Sequence, residues 1–176
     1  MAETELDADR EAWFTPLAQD LSAPAYHFAL WLVRDSSTAE EIVQEALMRS
    51  WRSGRTPRER DDFQRWLYRL VSNLARDHRR RDLVRRGLRL APPRDVDVVA
   101  EVERRAADAE LARAVSTLSA GDRQIVYLRF FEGLGHAEIG RIIGRREGSV
   151  RVATHRALGR LRGRLLASGG AVEVLG

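Results

Sequence analysis

The chain is 176 residues long, enough for one ordinary domain or two small ones, and its net charge of +4 comes from 30 arginines against 26 carboxylates, with no lysine. Having no cysteine, it can build neither a disulfide framework nor a thiolate metal site. It has no apolar run of about eighteen residues, and its acidic start, MAETELDADRE, is the opposite of a secretory leader, so the protein is expected to be cytoplasmic with no membrane insertion.

Residues 7 to 21 place Trp13, Phe14, Leu17, Ala18 and Leu21 at helical spacing, and Pro24 marks the start of a second helix to about Val33 with Tyr26, Ala29, Leu30 and Val33 inward. After Asp35-Ser36-Ser37, Ser37 and Glu40 have the spacing of a capping box, which opens a third helix to about Ser53. This helix is expected to bury Ile42, Val43, Ala46, Leu47 and Trp51 and to leave Glu40, Glu41, Gln44, Glu45, Met48 and Arg49 outside. Residues 54 to 62 read as a polar loop. The strongest period follows: Phe63, Trp66, Leu67, Leu70, Val71, Leu74 and His78 share one face, opposite Arg65, Arg69, Ser72, Asn73, Arg76, Asp77, Arg79 and Arg80. Aromatics beside arginines can stack unpaired bases while pairing phosphates; alternatively Phe63, Trp66 and Tyr68 fill the core.

The adjacent prolines of Leu90-Ala-Pro-Pro-Arg94 cannot continue a helix, which puts a linker at about residues 87 to 97. A fifth helix is expected over about 98 to 117, with Val115 and Leu118 toward the core, and Ser119 caps a sixth, with Asp122 in its first turn. There Ile125, Val126, Leu128 and Phe131 are expected inward, and Gly133 ends the helix. A short helix from His136 to Ile143 stops at Gly144, and Arg145, Arg146 and Glu147 make a sharp corner. Gly140, which costs about 1 kcal/mol relative to alanine inside a helix, implies close approach of the next helix. The last helix runs from Gly148 or Ser149 to about Leu166, burying Val150, Ala153, Ala157, Leu161 and Leu165 and presenting Arg151, His155, Arg156, Arg160 and Arg162. That is the shape of a helix-turn-helix whose second helix enters a DNA major groove, where arginine grips guanine edges and phosphates; taken alone, the stretch also fits a solvated basic face on an ordinary helical hairpin.

Charge is segregated along the chain. Residues 145 to 164 are net +6 and residues 76 to 89 net +5, so the rest of the chain is net −7. Two basic patches suggest two contacts with a polyanion and leave the acidic remainder for another partner. Enzyme chemistry finds no support: His27, His78, His136 and His155 are scattered with no metal-site spacing, and the adjacent Glu40 and Glu41 diverge by about 100° on a helix.

Ala39-Glu40-Glu41-Ile42-Val43-Gln44-Glu45-Ala46 with Trp51, Phe63 to Tyr68 followed by Asn73, Asp77, His78 and Arg79-Arg80-Arg81, Leu118 to Leu128, and Glu138-Ile139, Gly144, Gly148-Ser149-Val150 and His155-Arg156-Ala157 resemble, in order, regions 2.2, 2.3 and 2.4, 4.1 and 4.2 of the extracytoplasmic-function (group 4) sigma factors of bacterial RNA polymerase, members of the sigma-70 family. The resemblance implies an all-α fold of two small helical domains. A sigma2-like bundle over residues 1–86 and a sigma4-like helix-turn-helix domain over 98–170 would be joined by a flexible linker, 87–97, with no further carboxy-terminal domain.

The resemblance also implies roles. Glu41, Gln44 and Glu45 would dock on the clamp coiled coil of the largest subunit of RNA polymerase core, whose flap region is a further contact. The loop 54 to 62 with Asn73, Arg76, Asp77 and Arg80 would hold the minus-10 element of promoter DNA, including a flipped base, whose unstacking costs a few kcal/mol. Arg151, Val152, His155 and Arg156 would read the minus-35 element, with Arg129 on a phosphate. An anti-sigma factor is implied as a partner; no cofactor or metal is. The chain departs from the family pattern at Val152-Ala153-Thr154, where serine, arginine and an aliphatic residue are usual, at Ser72, where arginine is common, and at Gly140, where alanine is. The alternative is a free-standing helix-turn-helix regulator, which leaves residues 37 to 81 without a role.

Overall fold

A computed structural model describes residues 2–87 and 114–167, with side chains described from residue 8 to residue 85 in the first stretch. Of the expected linker at 87–97, Gly87 belongs to a helix; residues 88–97, most of the fifth helix and the tail after Ser168 lie outside the described residues. The chain divides into two units, Met1–Pro93 and Arg94–Gly176, and the described residues are all helix, turn and loop.

Unit 1 holds three helices, α1 (Ala2–Val33), α2 (Ser36–Arg52) and α3 (Arg60–Gly87). The expectation of two helices before Val33 is corrected: α1 is continuous through Pro16 and Pro24. A proline takes an N–H from the ladder, here leaving the Asp20 carbonyl without its intrahelical donor. The buried residues Phe14, Leu21, Ala25, Phe28 and Leu32 continue one stripe past Pro24, so packing against α2 and α3 outweighs the missing bond. Phe14 meets the rings of Trp51 and Phe63 edge-on at 5.2 and 5.6 Å. Phe28 meets Tyr68 at 4.9 Å.

The corner between α1 and α2 needs two residues. Arg34 takes a left-handed conformation, φ 61°, and Asp35 is extended, with Oδ1 accepting from the Thr38 amide at 2.8 Å. Asp35 therefore caps α2, in place of the expected Ser37, because the left-handed step at Arg34 turns the chain one residue pair earlier. Ile42, Val43 and Ala46 are buried, as their spacing predicts. On α3, Ser72 and Tyr68 are buried, with the Ser72 hydroxyl donating to the Tyr68 carbonyl at 2.7 Å. Ser72 thus leaves the outer face to which its spacing assigns it: α3 packs against both α1 and α2, which widens its buried arc.

Unit 2 holds α4 (Ala120–Val126), a π-helical turn (Tyr127–Phe131), α5 (His136–Ile143) and α6 (Glu147–Ala167). Val115 and Leu118 are buried beneath it, and Ser119 caps α4 by accepting from the Asp122 amide at 3.1 Å, both as expected. Phe131 is a correction. It is half exposed, as is Phe130, because the π turn, closed by the Glu132 amide on the Tyr127 carbonyl, rotates the chain off the stripe of Ile125 and Leu128. Phe131 stacks on Tyr127 instead, at 5.2 Å. Gly133 and Gly144, at φ 68° and 71°, take the left-handed turns their sequence contexts call for.

Candidate nucleic-acid interface

In unit 2 the sequence builds the helix-turn-helix locally. Gly135 opens α5, and Glu138 accepts from the Gly135 amide at 3.0 Å. Gly140 lies under the turn, and a Cβ there would come within 2.5 Å of the Arg145 carbonyl oxygen. The close approach inferred from Gly140 is therefore real, but the neighbour is the turn backbone; the Arg145 amide also donates to the Gly140 carbonyl at 2.9 Å. Val150, Ala153, Ala157, Leu161 and Leu165 are all buried on α6, so the opposite side is free.

Arg151, Val152, His155 and Arg156 lie at i, i+1, i+4 and i+5 on that free side, and all four are exposed. Val152 is 49% exposed, an apolar patch that suits the methyl group of thymine. Ala153 and Thr154 are buried, and the Thr154 hydroxyl donates to the Val150 carbonyl at 2.9 Å, so neither faces a ligand. Arg151 is held by Glu147 at 2.7 Å. Arg160, also outward in the sequence pattern, pairs with Asp122 at 2.6 Å, and that carboxylate in turn accepts from the Ser119 hydroxyl. Arg129 is half buried, and its Nη1 donates to the Leu134 carbonyl at 3.0 Å, an anchor for the segment entering α5.

In unit 1, Asn73, Arg76, Asp77 and Arg80 follow i, i+3, i+4, i+7 along α3, and all are exposed, forming one continuous polar strip. Phe63 and Tyr68 are fully buried and take no part in it. The other outer face, on α2, exposes Glu41 and Gln44, with Glu45 bound to Arg49 at 2.7 Å.

Sequence reasoning missed how the loop before α3 is held. Arg10 donates to the Trp51 carbonyl at 2.7 Å, and Arg58 pairs with Asp9 at 2.8 Å and lies over the Trp13 ring, 5.3 Å from its centroid. These partners are about forty or more residues away along the chain, beyond the reach of any local pattern. Among the described residues no group of three His, Asp or Glu side chains could hold a metal ion, and no described helix is long and apolar enough to cross a membrane.

Two family models match the chain: Sigma-70 region 2 over residues 17–84 and Sigma-70, region 4 over residues 108–161. The ECF RNA polymerase sigma factor BldN of Streptomyces coelicolor is 31% identical over 154 residues, covering 82% of this chain and 57% of BldN. The RNA polymerase sigma-H factor of Pseudomonas aeruginosa is 30% identical over 145 residues, covering 71% of this chain and 72% of that protein. Among solved structures, the sigma factor RpoE in complex with the anti-sigma factor NepR, from Bartonella quintana, aligns with a TM-score of 0.62 over 84% of this chain and 94% of that chain, a likeness of fold at 21% identity. This chain spans little more than half the length of BldN.

Proposed function

This chain belongs to the sigma-70 family of RNA polymerase sigma factors, in its extracytoplasmic-function branch, and on that premise we propose that it binds core polymerase and directs it to promoters by reading minus-35 and minus-10 elements. The observation that carries the reading is that each matched region contains a long helix with an exposed basic face, α3 in one unit and α6 in the other. A free-standing regulator needs only the second.

The roles follow the two units. Residues 1–86 form the part that binds core and the minus-10 element, 87–97 the connection, and 98–170 the part that binds the minus-35 element. On α3, Asn73, Arg76, Asp77 and Arg80 hold the melted strand by pairing phosphates and hydrogen-bonding an unstacked base. The binding energy offsets the few kcal/mol of unstacking, so melting needs no chemistry by the protein itself. On α6, Arg156 and His155 supply donors to base edges, Val152 an apolar contact, and Arg151 a donor once it exchanges Glu147 for DNA. Arg129, through the guanidinium donors that Leu134 leaves free, meets a phosphate. Glu41, Gln44 and Glu45 on α2 dock on the clamp of the largest subunit, and unit 2 meets the flap. An anti-sigma factor, the kind of partner NepR is to RpoE, covers these surfaces in the resting cell, in the cytoplasm.

The test is run-off transcription from genomic fragments with purified core polymerase. Discrete starts that depend on the protein and share spaced upstream elements are the expected result. Duplex binding with no redirection of core would replace this reading with that of a free-standing regulator.

Two substitutions separate the surfaces. Arg156→Ala is expected to weaken minus-35 binding by about 1–3 kcal/mol and to relax specificity there; an unchanged footprint would remove Arg156 from the interface. Gln44→Ala with Glu45→Ala is expected to spare DNA contacts and weaken core binding about tenfold, or about 1.4 kcal/mol. Normal co-elution of that double variant with core would place the docking face elsewhere.

A further inference from the structure

The described part of unit 2 carries ten arginines against four carboxylates, and the carboxylates are already engaged. Asp122 holds Arg160, Glu147 holds Arg151, Glu138 caps α5, and Glu132 has a partner within the chain. Two arginines of the recognition helix are therefore tied down in the free protein. The two that fill the turn, Arg145 and Arg146, are exposed, and among the described residues their side chains make no ion pair or hydrogen bond. The Val150 amide donates to the Arg146 carbonyl at 3.1 Å, which puts Arg146 immediately before α6. The first amides of α6, around the exposed Gly148 and Ser149, add their positive end to the same spot.

We propose that Arg145 and Arg146 form a phosphate clamp on duplex DNA at the helix-turn-helix corner, an assignment that rests on unit 2 being a duplex-binding module. The clamp acts through charge on the sugar-phosphate backbone, so it adds affinity on every sequence and sets how α6 enters the groove, while base choice stays with the outer face of α6. The pair is held ready by Gly140. The Arg145 backbone sits directly on that glycine and its amide donates to the Gly140 carbonyl, which fixes the turn, and among the described residues no carboxylate pairs with the two guanidinium groups.

The test measures binding of the full chain to a mixed-sequence duplex across a salt series, for wild type, Arg145→Ala/Arg146→Ala and Arg145→Lys/Arg146→Lys. Each phosphate contact contributes about 0.9 to the slope of log K against log salt, so the alanine pair is expected to flatten the slope by about 1.8, making its affinity about 12-fold less salt-sensitive between about 50 and 200 mM. The lysine pair is expected to restore the slope, since a phosphate accepts a point charge, whereas a forked base contact would stay lost. A wild-type slope that is steep and unchanged in the alanine pair would overturn the clamp while leaving duplex binding intact. A wild-type affinity with no salt dependence would overturn the duplex-binding reading itself, and the clamp with it.

Discussion

Phe28→Ala is expected to destabilise unit 1 by about 3–5 kcal/mol, the cost of emptying a fully buried aromatic site. Phe28 has no exposed surface and lies against the Tyr68 ring, so its removal leaves a cavity bounded by the stripe of α1 and by α3. A unit of this size has about 4–13 kcal/mol of total stability, at about 0.05–0.15 kcal/mol per residue, so the substitution removes between about a quarter and all of it. Tryptophan emission gives a clean readout, because Trp13, Trp31, Trp51 and Trp66 all lie in unit 1. At a urea m-value of about 1 kcal/mol per molar, the midpoint is expected to drop by about 3 M or more. An unmoved midpoint would mean that α1 does not pack on α3 as described. Because Tyr68 and Ser72 lie beneath the outer strip of α3, the loss also reaches function: the variant is expected to bind core polymerase poorly at growth temperature.

Gly140→Val is expected to cost unit 2 about 3 kcal/mol, at the upper end for inserting volume into a packed site. Its Cβ would stand 2.5 Å from a backbone oxygen, and unlike a side chain that oxygen cannot rotate away. Relief requires moving the Arg145 carbonyl, which breaks the bond from its amide to the Gly140 carbonyl and shifts the start of α6. Helix propensity gives little relief, since valine is a middling helix former. The thermal transition of unit 2, followed by far-ultraviolet dichroism, should fall while the tryptophan signal of unit 1 stays put. Minus-35 binding should fall with it. A variant that melts like wild type would show the turn to be free to move, and the single turn position assumed for the arginine pair would go too.

Local rules were enough wherever a residue's partners lie within one helical turn. The stripe from Val150 to Leu165, the ends of α5, the cap at Ser119 and the left-handed glycines could all be read from spacing and residue type. The same rules failed at three points, one decided by packing between elements and two by the local path of the backbone. Pro24 looks like a helix start, yet α1 passes through it because its buried stripe continues to Leu32. Ser37 has the spacing of a cap, but the left-handed corner at Arg34 hands the role to Asp35. Phe131 has the spacing of a core residue, but the π turn moves it half out of the core.

The candidate surfaces divide in the same way. Exposure of Asn73, Arg76, Asp77 and Arg80 on one side, and of Arg151, Val152, His155 and Arg156 on another, follows from helical period alone. Which cations are free does not: Asp122 engages Arg160 from 38 residues away, and among the described residues the turn arginines make no ion pair or hydrogen bond. The amino-acid sequence by itself determined the helical class, the position of the helix-turn-helix and the faces its helices bury, because period and capping are properties of neighbours in the chain. Only the tertiary structure decided that α1 runs unbroken through Pro24, how the loop before α3 is pinned and that Arg160 is tied to Asp122, because each depends on contacts between residues far apart in sequence.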